Sequence, residues 1–151
     1  MKEKIQVEHL EKIFCSQNDM KITALTDINL NVQENEFVCI LGPSGCGKST
    51  FLRIVAGLEE SSSGKVFYDG QEHVKPRREI GMVFQNYSLM PWLNVLDNIA
   101  LGLDFARVPK AKRTPIAKKY LDMIGMSDFG EAFPNELSGG MQQRVAIARA
   151  L

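Results

Sequence analysis

Apolar and polar residues alternate in Ile5-Gln6-Val7-Glu8, which predicts a first β-strand. A second strand is predicted within Ala24–Val32, where Ile28, Leu30 and Val32 keep the two-residue period and Leu25 precedes them. Phe37–Leu41 is apolar on both faces and stops at a glycine, the pattern of a buried parallel strand. The glycine-rich stretch Gly42–Gly47 follows, then Lys48-Ser49-Thr50 and Phe51, Leu52, Val55 and Ala56 at helical spacing, with Gly57 as the stop. The order is therefore strand, glycine loop, helix. Ser61-Ser62-Ser63-Gly64 and Asp69-Gly70 bracket Val66–Tyr68 as one arm of a hairpin, and Gly81–Phe84 predicts a short strand ending at Gln85. Helical patterns then take over. Asn94 is placed to cap Val95–Leu103, with Asp97 at the third position. Thr114-Pro115 opens a second helix with Ile116, Tyr120, Leu121 and Ile124 on one face and Gly125 at its end. Ser138 caps a third, Gly139–Leu151, with Met141, Val145, Ala148 and Leu151 on one face.

Composition narrows the function classes. The 151 residues suffice for one compact core, and 18 basic residues balance 18 acidic ones. That neutrality disfavours a nucleic-acid binder working through bulk charge. The amino-terminal residues carry no apolar signal region, and no apolar run approaches the length of a bilayer span. Three cysteines, Cys15, Cys39 and Cys46, lack metal-ligand spacing and read as reduced thiols. The two histidines, His9 and His73, are isolated and read as surface or capping residues.

The chemistry lies in Gly42-Pro43-Ser44-Gly45-Cys46-Gly47-Lys48-Ser49, which fits G-x-x-x-x-G-K-[ST]. A chance match in a chain of this length is on the order of 1%. Glycines let successive backbone N–H groups converge on phosphate oxygens, and the following helix adds its positive end. Lys48 is placed to reach the β- and γ-phosphates, and the Ser49 hydroxyl to ligate Mg²⁺. A second anion site is predicted at the third helix, where Ser138 caps and Gly139 and Gly140 leave the first N–H groups bare.

Leu137-Ser138-Gly139-Gly140-Met141 followed by Gln142-Gln143-Arg144 resembles the LSGGQ signature of ATP-binding-cassette (ABC) ATPases, and the likeness runs from about residue 5 to the end. The resemblance implies an α/β P-loop fold with an amino-terminal antiparallel β subdomain, a small helical subdomain and an incomplete sheet. It divides the chain into a P-loop core with the antiparallel subdomain (1–85), a helical subdomain (86–137) and the signature helix (138–151). It implies that Phe14 stacks on adenine and that residues 42–50, Thr50 included, hold the nucleotide. Gln85 corresponds to the glutamine that touches Mg²⁺ and positions the attacking water. Leu137–Met141 would contact the γ-phosphate of ATP held by a second subunit in a head-to-tail dimer. Met141 departs from the signature glutamine and removes one polar contact. Met90-Pro91-Trp92-Leu93-Asn94 and the residues to Ile99 look most like the nitrate, sulfonate and taurine importer branch.

By the same resemblance the partners would be permease subunits and an extracytoplasmic solute-binding protein, with the chain cytoplasmic and peripheral on the inner face of the membrane. ATP and Mg²⁺ would be the cofactors. The family's Walker-B Asp and Glu and its switch histidine have no counterpart before Leu151, so the chain is expected to be an amino-terminal fragment, inactive alone, with Phe37–Leu41 short of strand neighbours. Two alternatives stand beside the importer. One is a soluble ABC-type ATPase of DNA repair or chromosome maintenance, which the short interval between Gln85 and Ser138 and the neutral charge disfavour. The other is a nucleotide-binding remnant without hydrolysis. Asp128-Phe129-Gly130 copies a kinase magnesium motif without the rest of that set. The basic run Lys110, Lys112, Arg113, Lys118 and Lys119 reads as a solvated face, with phospholipid headgroups or an acidic partner as the alternative, and Leu89–Leu93 as core, with a permease interface as the alternative.

Overall fold

The structure, a computed structural model, describes residues 2–15 and 20–151. Its contacts divide the chain into two compact units, Met1–Ile80 and Gly81–Leu151. In the first, β1 (Glu3–Cys15) lies between β2 (Lys21–Gln33) and β3 (Ser63–Tyr68), and β4 (Gln71–Glu72) pairs with β3, all antiparallel. Both long strands run further than their alternation predicts. Their ladder changes register at four places, which breaks the alternation. Val7 pairs with Leu30 and Leu10 with Ile28, so β1 spends one extra residue there, and His9 takes a left-handed φ of 46°. The extra residue resets the parity, and Val7 and Leu10 both face inward.

Helix α1 (Lys48–Val55) lays Phe51 and Ile54 on that face, with Val7, Leu10, Leu25 and Val66. Ile54 occupies the inward position expected of Leu52, which is exposed. The β3–β4 turn places Asp69 (φ 51°) and Gly70 (φ 75°) in the left-handed region, as a two-residue hairpin with right-handed strand twist requires. Lys4 Nζ at 2.7 Å and Lys2 Nζ at 2.9 Å hold the Asp69 carboxyl below the usual range.

Two predicted strands do not pair. Phe37–Leu41 and Gly81–Phe84 join no ladder among the described residues, and Phe37 and Leu41 are 93% and 87% exposed. An apolar run specifies a demand for burial; neither segment takes up the edges that β2 and β4 leave, and Phe37–Leu41 is unpaired as its expected shortage of strand neighbours implies.

His73 corrects the expectation of a surface or capping residue. It is 4% exposed, tilted against Tyr68 with ring centroids 6.3 Å apart, and neither ring nitrogen finds a hydrogen-bond partner. Burial, and then the charge of Arg77, pushes its pKa below the ordinary 6.5. The unfolded chain therefore binds a proton on His73 at a higher pH than the folded one. Stability should fall as the pH drops below about 6.5, down to the folded-state value. Urea unfolding between pH 7.5 and 5 should show the slope, and His73→Phe should flatten it; equal slopes in both proteins would refute the assignment.

In the second unit α2 (Val95–Phe105), α3 (Lys110–Met123) and α4 (Gly139–Ala150) enclose Val95, Ile99, Ala117, Leu121, Met126, Leu137, Val145 and Ala148. Asn94 Oδ1 accepts from Asp97 N at 2.8 Å, as the capping pattern predicts. Helix α3 begins a turn before Thr114-Pro115. The Pro109 carbonyl accepts from Lys112 N and Arg113 N, and Pro115 falls inside the helix. Its buried face carries Ala117 rather than Ile116. Leu89 packs on the core but Trp92 is 71% exposed, so Leu89–Leu93 is core only in part. Asn98 pins that stretch from within: its Oδ1 accepts from Met90 N, and its Nδ2 donates to the carbonyls of Met90, Leu93 and Asn94.

Candidate functional site

The glycine loop and α1 form one continuous structure. Gly45 (φ 81°) and Gly47 (φ 94°) bend the chain through the left-handed region. At Gly47 a Cβ would sit 2.5 Å from the Ala24 carbonyl oxygen and 2.9 Å from Leu25 Cδ2, so the helix start is seated on β2 and only glycine fits. Gly47 caps α1 without a side-chain hydrogen bond, and the first helical bond runs from Phe51 N to Gly47 O at 2.9 Å. The opening N–H groups are thus left to an incoming acceptor.

Lys48 Nζ donates to the carbonyls of Gly42 at 2.7 Å and Pro43 at 2.6 Å, and lies 3.5 Å from Cys46 Sγ. Its charge is held over the loop by two dipoles and no carboxylate among the described residues. Ser44, Ser49 and Thr50 add hydroxyls around it, and Ser49 is exposed. Within the loop Cys46 N donates to Pro43 O at 3.4 Å. One ammonium beside a helix N-terminus is chemistry that suits an anion, and the Ser49 hydroxyl is an oxygen donor of the kind Mg²⁺ takes. Phe14, near the end of β1, presents a half-exposed ring with Lys12 Nζ 4.8 Å from its centroid. That arrangement leaves aromatic surface for stacking.

The second unit holds the other candidates. Ser138 Oγ accepts from Met141 N at 3.3 Å, and Gln142 N donates to Ser138 O at 2.9 Å. Gly139 and Gly140 are exposed at this helix start, whereas Leu137 is buried beneath it. Gln142 Nε2 donates to the carbonyls of Pro134 and Leu137, fixing the approach to the cap. Met141 is partly buried on the core cluster, so its side chain serves packing. Gln85 is exposed at the start of a turn in which Tyr87 N donates to Phe84 O at 3.0 Å.

Gly42–Thr50 and Phe14 therefore belong to the first unit, and Gln85 and Leu137–Met141 belong to the second. Three residues with structural leverage are absent from the sequence reading: Asn98, Tyr87 and Arg149. Asn98 had a signal, a carboxamide inside the apolar face of a helix. The other two had none, because their partnership is 62 residues apart in sequence. Cys15, Cys39 and Cys46 are free thiols, and no cluster of three metal-ligating side chains occurs among the described residues.

The family model described as ABC transporter matches residues 25–151. An uncharacterised ABC transporter ATP-binding protein of Methanocaldococcus jannaschii is 54% identical over 151 residues, all of this chain and 56% of that protein. A nitrate import ATP-binding protein of Synechocystis is 45% identical over 97% of the chain and 55% of its own length. A taurine import ATP-binding protein of Rhizobium johnstonii is 44% identical over 97% of the chain and 56% of its own. The chain thus spans little more than half of these relatives. A dimeric ATP-binding cassette solved in a post-hydrolysis state with ADP and Pi superimposes with a TM-score of 0.88, at 38% identity over 97% of the chain and 68% of that structure.

Proposed function

The chain belongs to the ABC transporter family, and we propose that it forms the ATP-binding part of an importer's ATPase subunit. Its fold is that of the α/β P-loop cassettes with which it superimposes. The observation that carries the functional reading is the Lys48 ammonium poised over a glycine loop that opens directly into an uncapped helix. Residues 42–50 would take the triphosphate, with Lys48 and the loop N–H groups on its oxygens and Phe14 against the base. Ser49 would hold Mg²⁺, which neutralises charge on the phosphates when bound. Gln85 corresponds to the family's glutamine that touches Mg²⁺ and orients the water. Leu137–Met141 would meet the γ-phosphate of a nucleotide held by a second copy, in keeping with the dimer of the solved relative.

The partners would be that second ATP-binding subunit, a pair of permease subunits and an extracytoplasmic solute-binding protein. No helix among the described residues is long and apolar enough to cross a membrane, which suits a subunit bound peripherally to the cytoplasmic face. The cargo would be a small oxyanion or sulfonate, a reading supported by the nitrate and taurine import relatives.

The test is ATP binding and hydrolysis by the protein as its gene produces it, with and without its permease. Chelating Mg²⁺ should lower turnover at least a hundredfold and be reversed by added Mg²⁺. Absence of ATP binding at millimolar nucleotide would overturn the reading. Uptake of nitrate and taurine by the assembled transporter then checks the cargo.

A further inference from the structure

The segment Gly81–Ser88 joins no strand ladder among the described residues, yet it is seated on α4 at three points. At its start, a Cβ on Gly81 would lie 2.8 Å from the Ala150 carbonyl oxygen, so the backbone there is pressed against the end of α4. At its finish, Arg149 spreads its guanidinium over two consecutive carbonyls. Nη2 donates to Tyr87 O at 2.8 Å and Nη1 to Ser88 O at 2.6 Å. The third point is at the opposite end of the helix. The Tyr87 hydroxyl reaches Gly139, where an added Cβ would meet it at 3.6 Å.

The turn so held is not one the chain adopts readily. Tyr87 (φ 59°) and Ser88 (φ 48°) are consecutive non-glycine residues in the left-handed region. Ser88 N closes a three-residue turn on Asn86 O at 2.6 Å, and Ser88 Oγ bonds to Asn86 Oδ1 at 2.8 Å. Such strain persists where surrounding contacts over-determine it. Arg149 is half-buried and makes no ion pair among the described residues, so its charge is directed to these two carbonyls.

We propose that Tyr87 and Arg149 are positioning residues that strap the turn after Gln85 along α4, so that Gln85 and the Ser138 end of that helix move as one body. The inference rests on the reading of Gln85 and Ser138 given above. It adds a mechanical connection between the group assigned to the water and the group assigned to the opposing γ-phosphate.

The test combines amide hydrogen exchange with steady-state kinetics on the protein as its gene produces it. In Arg149→Ala, amides 86–89 should exchange at least tenfold faster while the Val145 region is unchanged. ATP turnover at saturation should drop at least tenfold with KM for ATP within twofold. Arg149→Lys, which keeps one charged donor, should recover part of both. Tyr87→Phe, which removes only the hydroxyl beside Gly139, should lower turnover severalfold without altering the melting temperature, and it decides the matter should Arg149→Ala fail to fold. Wild-type exchange and turnover in these variants would overturn the strap, as would a raised KM together with a lowered melting temperature in both Arg149→Lys and Tyr87→Phe. Failure of the wild-type protein to bind ATP strikes the functional reading instead, and the exchange result alone then decides the strap.

Discussion

Lys48→Ala is expected to abolish ATP binding while leaving the fold intact. The lysine ammonium is held by the carbonyls of Gly42 and Pro43 and touches Cys46 Sγ. Removing it frees two acceptors that water can satisfy, so the stability change should be small. Its loss to a bound triphosphate is another matter. One unit charge at about 4 Å from an anionic oxygen is worth about 4 kcal/mol at an effective dielectric constant near 20, roughly a thousandfold in affinity. Titration with a fluorescent ATP analogue should show that loss, with an unaltered thermal melt as the control. An affinity within threefold of the wild type would sink the assignment of Lys48. Lys48→Arg should not rescue, because a planar fork does not replace a compact ammonium over two carbonyls.

Ser138→Arg is expected to do the reverse: monomeric ATP binding survives and ATP-driven dimerisation is lost, with turnover falling at least a hundredfold. Ser138 Oγ satisfies Met141 N, and the bare backbone at Gly139 and Gly140 lets an anion approach the helix end. The arginine removes the cap, costing about 1 kcal/mol, and covers the approach with a long side chain. Ser138→Ala isolates the cap alone and should cost turnover only severalfold. Light scattering with ATP under non-hydrolysing conditions reads dimerisation directly. Dimers of wild-type abundance in Ser138→Arg would show that this helix start meets no opposing nucleotide.

What the chain discloses to a reader of its residues depends on how far apart the cooperating parts lie. The glycine loop, the Asp69-Gly70 turn and the caps at Asn94 and Ser138 are local devices, each complete within a few residues, and each is present where the pattern places it. Thr114-Pro115 is a good helix opening, but α3 starts before it because Pro109 offers a carbonyl one turn earlier and Pro115 is accommodated within the helix. Phe37–Leu41 shows the limit of hydrophobic pattern: it states that these side chains suit burial and is silent on whether a neighbouring strand exists. His73 shows another, since a histidine in a polar stretch carries no mark of the Tyr68 ring that covers it. Arg149 was beyond reach, being a charged residue on a helix whose partners are backbone atoms of a distant turn. Local chemistry was legible. Tertiary partnerships were not.

The exposed run Phe37–Leu41 also bears on how this chain behaves among other proteins. Five consecutive apolar residues with strand propensity and no charge form the kind of window that adds to a foreign strand edge or seeds a cross-β stack. Its flanks blunt that tendency. Glu36 stands immediately before it, Glu34 two residues earlier, and Pro43 two residues after it. The two carboxylates repel a matching copy in register, and the proline lacks the N–H that an extending ladder needs. These are gatekeepers, and they flank the strand-like run that leads into the nucleotide loop. Replacing Glu34 and Glu36 with glutamine should therefore reduce soluble yield and raise thioflavin-positive aggregate before it alters any property of the ATP site.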